Sequence, residues 1–143
     1  MCARLISIMK IVSLAVIVLA AATYAPAEAQ QCLKYDSQLS LTGKLYSKVF
    51  PGPPNYESIR KGDRKEIAWL LTLSKPICTL PGDPPDDAEA NVPEIQLVIS
   101  QDADWKTVKS LAGQRVTVTG TLFHASTGHH RRNVLISVSK IRR

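Results

Sequence analysis

From residue 37 to residue 138 the chain returns five times to one pattern, an apolar residue at every second position, and glycine or proline marks several of the breaks between runs. A two-residue period sends alternate side chains to opposite faces of an extended strand, so each run can bury one face. In the first run, Ser37–Phe50, the apolar face is Leu39, Leu41 and Leu45, and Gly43 invites a bend or bulge. The second run, Lys65–Ser74, alternates through Ile67, Trp69, Leu71 and Leu73, and the third, Glu94–Ser100, through Ile95, Leu97 and Ile99. Val116, Val118 and Leu122 mark the fourth within Gln114–Phe123, and Val134, Ile136 and Val138 the fifth. Between the third and fourth runs the period lengthens. Asp104 can cap a short helix, Trp105, Val108 and Leu111 share one of its faces, and Gly113 ends it.

Strand, strand, strand, short helix, strand, strand is the element order of the OB-fold, a five-stranded Greek-key barrel. The expected fold is therefore mainly β, a small five-stranded OB-like barrel with one short helix between strands 3 and 4. A bend in a long first strand suits it, because that strand serves both halves of the barrel. A small SH3-like barrel is the competing architecture, but it does not call for a helix in that slot.

The first 29 residues read as a signal peptide. Arg4 and Lys10 give a basic start, Ile11–Ala22 is an apolar run, and small residues flank a cut near Ala29. The run is shorter than the roughly 20 residues a membrane-spanning helix needs. Residues 30–143 are then one domain, exported to the periplasm or secreted, and expected to be a monomer. Gln31 ahead of Cys32 argues against a lipid anchor there. Cys2 departs with the signal, leaving Cys32 and Cys78 as an even pair, which in an oxidising compartment predicts one disulfide. The formal charge of +6 favours anionic partners such as cell-wall polymers, lipid head groups or nucleic acid without choosing among them.

Two segments concentrate the unusual chemistry. The first is Phe50–Ser58, reading Phe-Pro-Gly-Pro-Pro-Asn-Tyr-Glu-Ser; the second is His124–Arg132, which holds all 3 histidines of the chain. In an OB-fold they are the two loops that flank the ligand face, so they are expected to meet. Asn55 and Ser58 can bond their own backbone, Tyr56 can offer a ring to a sugar or base or plug the barrel end, and Glu57 can accept hydrogen bonds. His124, His129 and His130 can converge at the hairpin mouth as ligands for zinc, copper or nickel, with Glu57 completing the set. Arg131 and Arg132 count against a cation and for an anion, and Arg60, Lys61, Arg64 and Lys65 add to the same field. Asp83, Asp86, Asp87 and Glu89 lack the spacing of a calcium loop and read as a solvated connection.

At these residues the chain resembles a bacterial exported family, the domain-of-unknown-function family four-four-three-one. The resemblance runs from Cys32-Leu33-Lys34-Tyr35 to the last strand. It rests on Gly52-Pro53-Pro54-Asn55-Tyr56-Glu57-Ser58, on Ile95-Gln96-Leu97, on Val116–His124, and on Thr127-Gly128-His129-His130. It implies an exported, OB-like domain and brings no activity. The family has histidine where this chain has Ser126 and Arg131.

The expected function is a non-enzymatic exported binding module. Its ligand site lies between the 50–58 and 124–132 loops and comprises Asn55, Tyr56, Glu57, Ser58, His124, His129, His130 and Arg131. The ligand is an anionic or glycan envelope component, or an envelope protein. The alternative is a transition-metal-binding protein using His124, His129 and His130. A hydrolase with His124 as base and Arg131 as oxyanion clamp is a third reading, but no nucleophile elbow, Cys/His pair or carboxylate pair supports it. Few interleaved aromatics and the signal peptide argue against nucleic acid. A membrane is expected to meet this protein only through an uncleaved signal, if at all.

Overall fold

The computed structural model describes residues 31–99 and 105–143. The signal-peptide expectation, Ser100 and the capping role of Asp104 lie outside them. Among the described residues five strands are present: β1 (Gln38–Pro51), β2 (Lys65–Ile77), β3 (Val92–Ile99), β4 (Arg115–His124) and β5 (Val134–Arg142). The helix α1 (Trp105–Ser110) sits between β3 and β4, as the element order required. The barrel closes in the order β1-β2-β3-β5-β4, with β4 returning to β1. The β3–β5 pair is parallel and the other pairs are antiparallel. This is the OB-like barrel expected from the alternation.

β1 serves two neighbours. It pairs with β4 through Gln38–Lys44 and with β2 through Gly43–Pro51. The changeover falls at Gly43, opposite both Leu73 and Val116. A side chain there would collide with the carbonyl oxygen of Thr72, so the close approach requires glycine. The register runs straight through Gly43. The irregularities fall elsewhere, between Thr119 and Gly120 and between Thr72 and Ile77.

The barrel interior follows the alternation. Leu45, Leu71, Ile95, Val118, Leu122, Val134 and Ile136 are fully buried, and Val108 of α1 packs with them at 1% exposure. Two expected core residues depart from it. Ile67 is 63% exposed and Trp105 is 41% exposed. The register explains Ile67. β1 and β2 pair out to Pro51–Lys65, whereas β2 meets β3 only from Trp69 and β1 leaves β4 at Lys44. The β1–β2 hairpin therefore overhangs the barrel, and its inward-facing positions run past the core into solvent.

A second buried set lies outside the barrel. Tyr46, Leu70, Gln96 and Leu135 stand in register across β1, β2, β3 and β5. Leu70 and Leu135 are completely buried and Gln96 nearly so, although none belongs to the interior cluster. The segment between β4 and β5 meets this row at Gln96, which bonds its backbone. Burying each leucine is worth roughly 1.5–3 kcal/mol.

The Cys32–Cys78 disulfide is present, with Cα atoms 4.7 Å apart. It ties the start of the domain to the end of β2, beside a parallel bridge between Leu33 and Thr79. The bond indicates an oxidising, extracytoplasmic setting. Among the described residues no helix is long and apolar enough to cross a membrane.

Candidate functional site

The proline-rich loop between β1 and β2 is organised by a residue the sequence did not single out. Asp63 is 4% exposed. Its carboxylate accepts the backbone N–H of Asn55 (3.0 Å), Glu57 (2.7 Å) and Ser58 (2.7 Å), and the Asn55 side-chain amide at 3.2 Å. The N–H of Ser58, working against burial, and those of Asn55 and Glu57 hold the Asp63 carboxyl below the usual carboxylate range. Asn55 and Ser58 were expected to bond their own backbone. Instead they donate to Asp63, because a carboxylate can gather several N–H groups at once. A charged residue closing a turn rich in glycine and proline was the available signal.

This wrapping leaves Tyr56 at a φ of 60°, in the left-handed region where a bulky residue is uncommon. Its ring lies against Gly128 of the other loop, where a Cβ would come within 3.1 Å of it. The Tyr56 hydroxyl donates to Nε2 of His129 at 3.2 Å, and the two rings meet edge-on with centroids 5.4 Å apart. Nδ1 of His129 donates to Glu66 at 2.9 Å. These partners assign the proton of neutral His129 to Nδ1. His129 itself is 59% exposed. The two loops therefore meet, through Tyr56, Gly128 and His129.

The histidines do not converge. His124 faces the long β2–β3 connection, with Nε2 3.3 Å from Glu89 and Nδ1 3.9 Å from Asp86, and its ring edge meets Tyr35 at 5.7 Å. His130 turns inward, where its Nδ1 accepts the N–H of Ser126 (2.8 Å) and Thr127 (3.3 Å) and its ring packs on Phe123. Burial, and then neighbouring His129, push the His130 pKa below its ordinary value. Adjacent residues on an extended chain diverge, and the turn at Gly128 does not reverse this. The metal set of His124, His129 and His130 is thus held on three separate sets of partners. Glu57 is exposed and does not complete it. Among the described residues no group of three or more His, Cys, Asp or Glu is arranged to hold a metal ion.

The arginines are engaged as well. The Arg131 side chain is 9% exposed and lies over both the Phe50 and Tyr56 rings, 5.4 Å from each centroid. It donates to the carbonyl of Pro51 at 2.8 Å and pairs with Glu66 at 3.4 Å. Its Nε is buried without a hydrogen-bond partner, and ring faces on two sides supply the compensating attraction. Arg131 is a strut between the loops, not an open anion fork. Arg132 donates to Glu94 through Nε at 2.6 Å. Burial works to raise the Glu94 carboxyl, but hydrogen bonds from Tyr46 and Arg132, and the Arg132 charge, outweigh it and hold it low.

Gln96 was also missed. From the outer face of β3 its Nε2 donates to the carbonyl of His129 at 3.0 Å, and its Oε1 accepts the N–H of Arg131. One amide so fixes the backbone on both sides of His130. A polar residue inside the apolar run Ile95-Gln96-Leu97 was its only trace. Beside this clamp a groove of about 280 Å³ is lined by Asn91, Glu94, Arg132 and Asn133, among others.

Residues 94–142 match the domain of unknown function DUF4431. The DUF4431 match begins at Glu94 in β3 and ends in β5, so it takes in Gln96, the three histidines and both arginines. Tyr56, Asp63 and Glu66 lie outside it. No curated protein matches the chain. The matched segment thus supplies the hairpin side of the site, and the overhanging β1–β2 hairpin supplies the rest.

Proposed function

We propose that the protein is a non-enzymatic exported binding module that takes a glycan component of the cell envelope at the Tyr56–His129 contact. The carrying observation is that a strained Tyr56 and an exposed His129, from loops far apart in sequence, are locked together at the surface. Strain of this kind persists only where surrounding structure over-determines it, and it concentrates at ligand contacts.

The choice of a sugar over a simple anion follows from the arginines. Arg131 and Arg132 are paired with Glu66 and Glu94, which removes the open guanidinium fork an anion would need. What remains is a mixed set: the exposed His129 ring with the half-buried Tyr56 ring against it, and the groove lined in part by Asn91, Arg132 and Asn133. Amide, guanidinium and imidazole groups together with a phenol suit a polyhydroxylated ligand.

The test is calorimetric titration of the oxidised protein with soluble peptidoglycan fragments, with a soluble polyanion as the comparison. Binding of the glycan, at least tenfold weaker in both Tyr56→Ala and His129→Ala, supports the reading. Binding of the polyanion alone, or glycan binding that both variants retain, overturns it.

A further inference from the structure

The overhang of the β1–β2 hairpin leaves an apolar surface that the site above does not use. Val49 and Ile67 are directly paired and are 48% and 63% exposed. Trp105 at the start of α1 is 41% exposed. Ser47, Ile67, Trp69, Trp105 and Lys109 line a groove of about 540 Å³ between hairpin and helix. The opposite face of the same hairpin is covered, since Phe50 lies under Arg131 and Glu66 bonds His129.

Among the described residues, basic side chains flank this apolar face. Lys65 lies on the same side of β2 as Ile67, two residues away, and Lys109 forms the groove wall. The tip of the hairpin adds exposed Arg60, Lys61 and Arg64. Asp63, the carboxylate among them, is buried beneath the N–H groups of Asn55, Glu57 and Ser58. Exposed Glu57 is the opposing charge at the tip.

We propose that the overhanging β1–β2 hairpin and the start of α1 form a docking surface for an anionic lipid bilayer. Aliphatic and tryptophan side chains that stand out of a surface, flanked by Lys65 and Lys109 with further basic residues at the hairpin tip, match the boundary between acyl chains and acidic head groups. A single lipid held as a ligand would need an enclosed pocket, whereas this groove is open and Val49, Ile67 and Trp105 stay exposed around it. A second copy of the chain would bring two basic tips together. The surface lies in the folded domain, so it provides membrane contact independent of the signal segment.

The 2 tryptophans of the chain, Trp69 and Trp105, both line this groove, so intrinsic emission reads it directly. The experiment titrates the oxidised folded domain, residues 30–143 without the signal segment, with vesicles of phosphatidylcholine and phosphatidylglycerol, and with vesicles of phosphatidylcholine alone. The expected result is a blue shift with the anionic vesicles that weakens as salt rises, and a much smaller one with the neutral vesicles. Ile67→Asp should keep its unfolding midpoint, the residue being exposed, and lower the partition coefficient about tenfold or more. Val49→Asp is the second variant should the first fail to fold. No shift with anionic vesicles overturns the proposal, as does an equal shift with neutral ones or an undiminished shift in the folded variant. A blue shift that grows with protein concentration in the absence of vesicles overturns it in favour of a second copy.

Discussion

The hydroxyl of Tyr56 lies 3.2 Å from Nε2 of His129, with the two rings at 87° to one another. Neither residue reaches this position through its own loop alone. Tyr56 depends on the N–H groups gathered by Asp63, and His129 on the amide of Gln96 and the carboxylate of Glu66. Tyr56→Phe keeps the ring on Gly128 but removes the donor. An exposed hydrogen bond of this kind is worth about 0.5–1.5 kcal/mol, so stability should fall little. The expected change is at Nε2 of His129, whose ¹⁵N shift should move as it loses the accepted hydrogen bond while Nδ1 stays on Glu66. Unchanged shifts would mean the contact does not persist in solution.

Replacing Gln96 tests the clamp. Gln96→Leu fits the apolar row of Leu70 and Leu135 by size, but strands the carbonyl of His129 and the N–H of Arg131. Leaving a buried polar group unpaired costs about 1–3 kcal/mol. The urea midpoint should drop accordingly, and the amides of 128–132 should exchange faster than those of β4. A variant as stable as the parent would show that water replaces the amide without loss.

The inward histidine gives a pH dependence with a definite sign. His130 is held below its ordinary value, so the unfolded chain binds its proton first. Its contribution is complete above about pH 6.5, and it is lost as the pH falls from there toward the lower folded value. Protonation at Nδ1 also ends the acceptor for Ser126 and Thr127. Amide exchange at Ser126 should therefore accelerate, beyond its intrinsic pH dependence, on acidification through this range. His130→Gln should flatten that response.

Asp63 works in a lower window. Its folded pKa is depressed, so its contribution stands above the ordinary carboxylate value of about 3.9 and is lost as pH falls through the folded one. Asp63→Asn should be less stable at pH 7. Parent and variant should converge as acid protonates the carboxylate. Parallel urea curves at pH 7 and pH 3, with a constant gap, would contradict this.

Much of the barrel was legible because the two-residue period is enforced by burial. Leu45, Leu71, Ile95, Val118 and Ile136 are inside for the reason their spacing implied. The same period misplaced Ile67, because alternation marks a face and does not say where the core beneath it ends. The meeting of the two loops followed from strand order alone. Which side chains would carry the contact did not. His124 looked like a partner for His129, yet at the end of β4 it faces Glu89 and Asp86 across the other connection. Arg131 looked like an open charge, but two aromatic rings and Glu66 offered it better company than water. Asp63 and Gln96 act through backbone groups, and a sequence does not display where its own N–H and C=O groups will point.

The position of the Cys32–Cys78 bond also bears on the order in which the molecule is made. It encloses β1 and β2 and nothing beyond them. For a chain threading out of a pore with its amino end first, both thiols emerge before β3, β4 or β5. The crosslink can therefore be in place while the strands that shut the cylinder are still inside. Those late strands then meet a tethered hairpin, and the long-range β1–β4 closure begins from a shorter, tied chain.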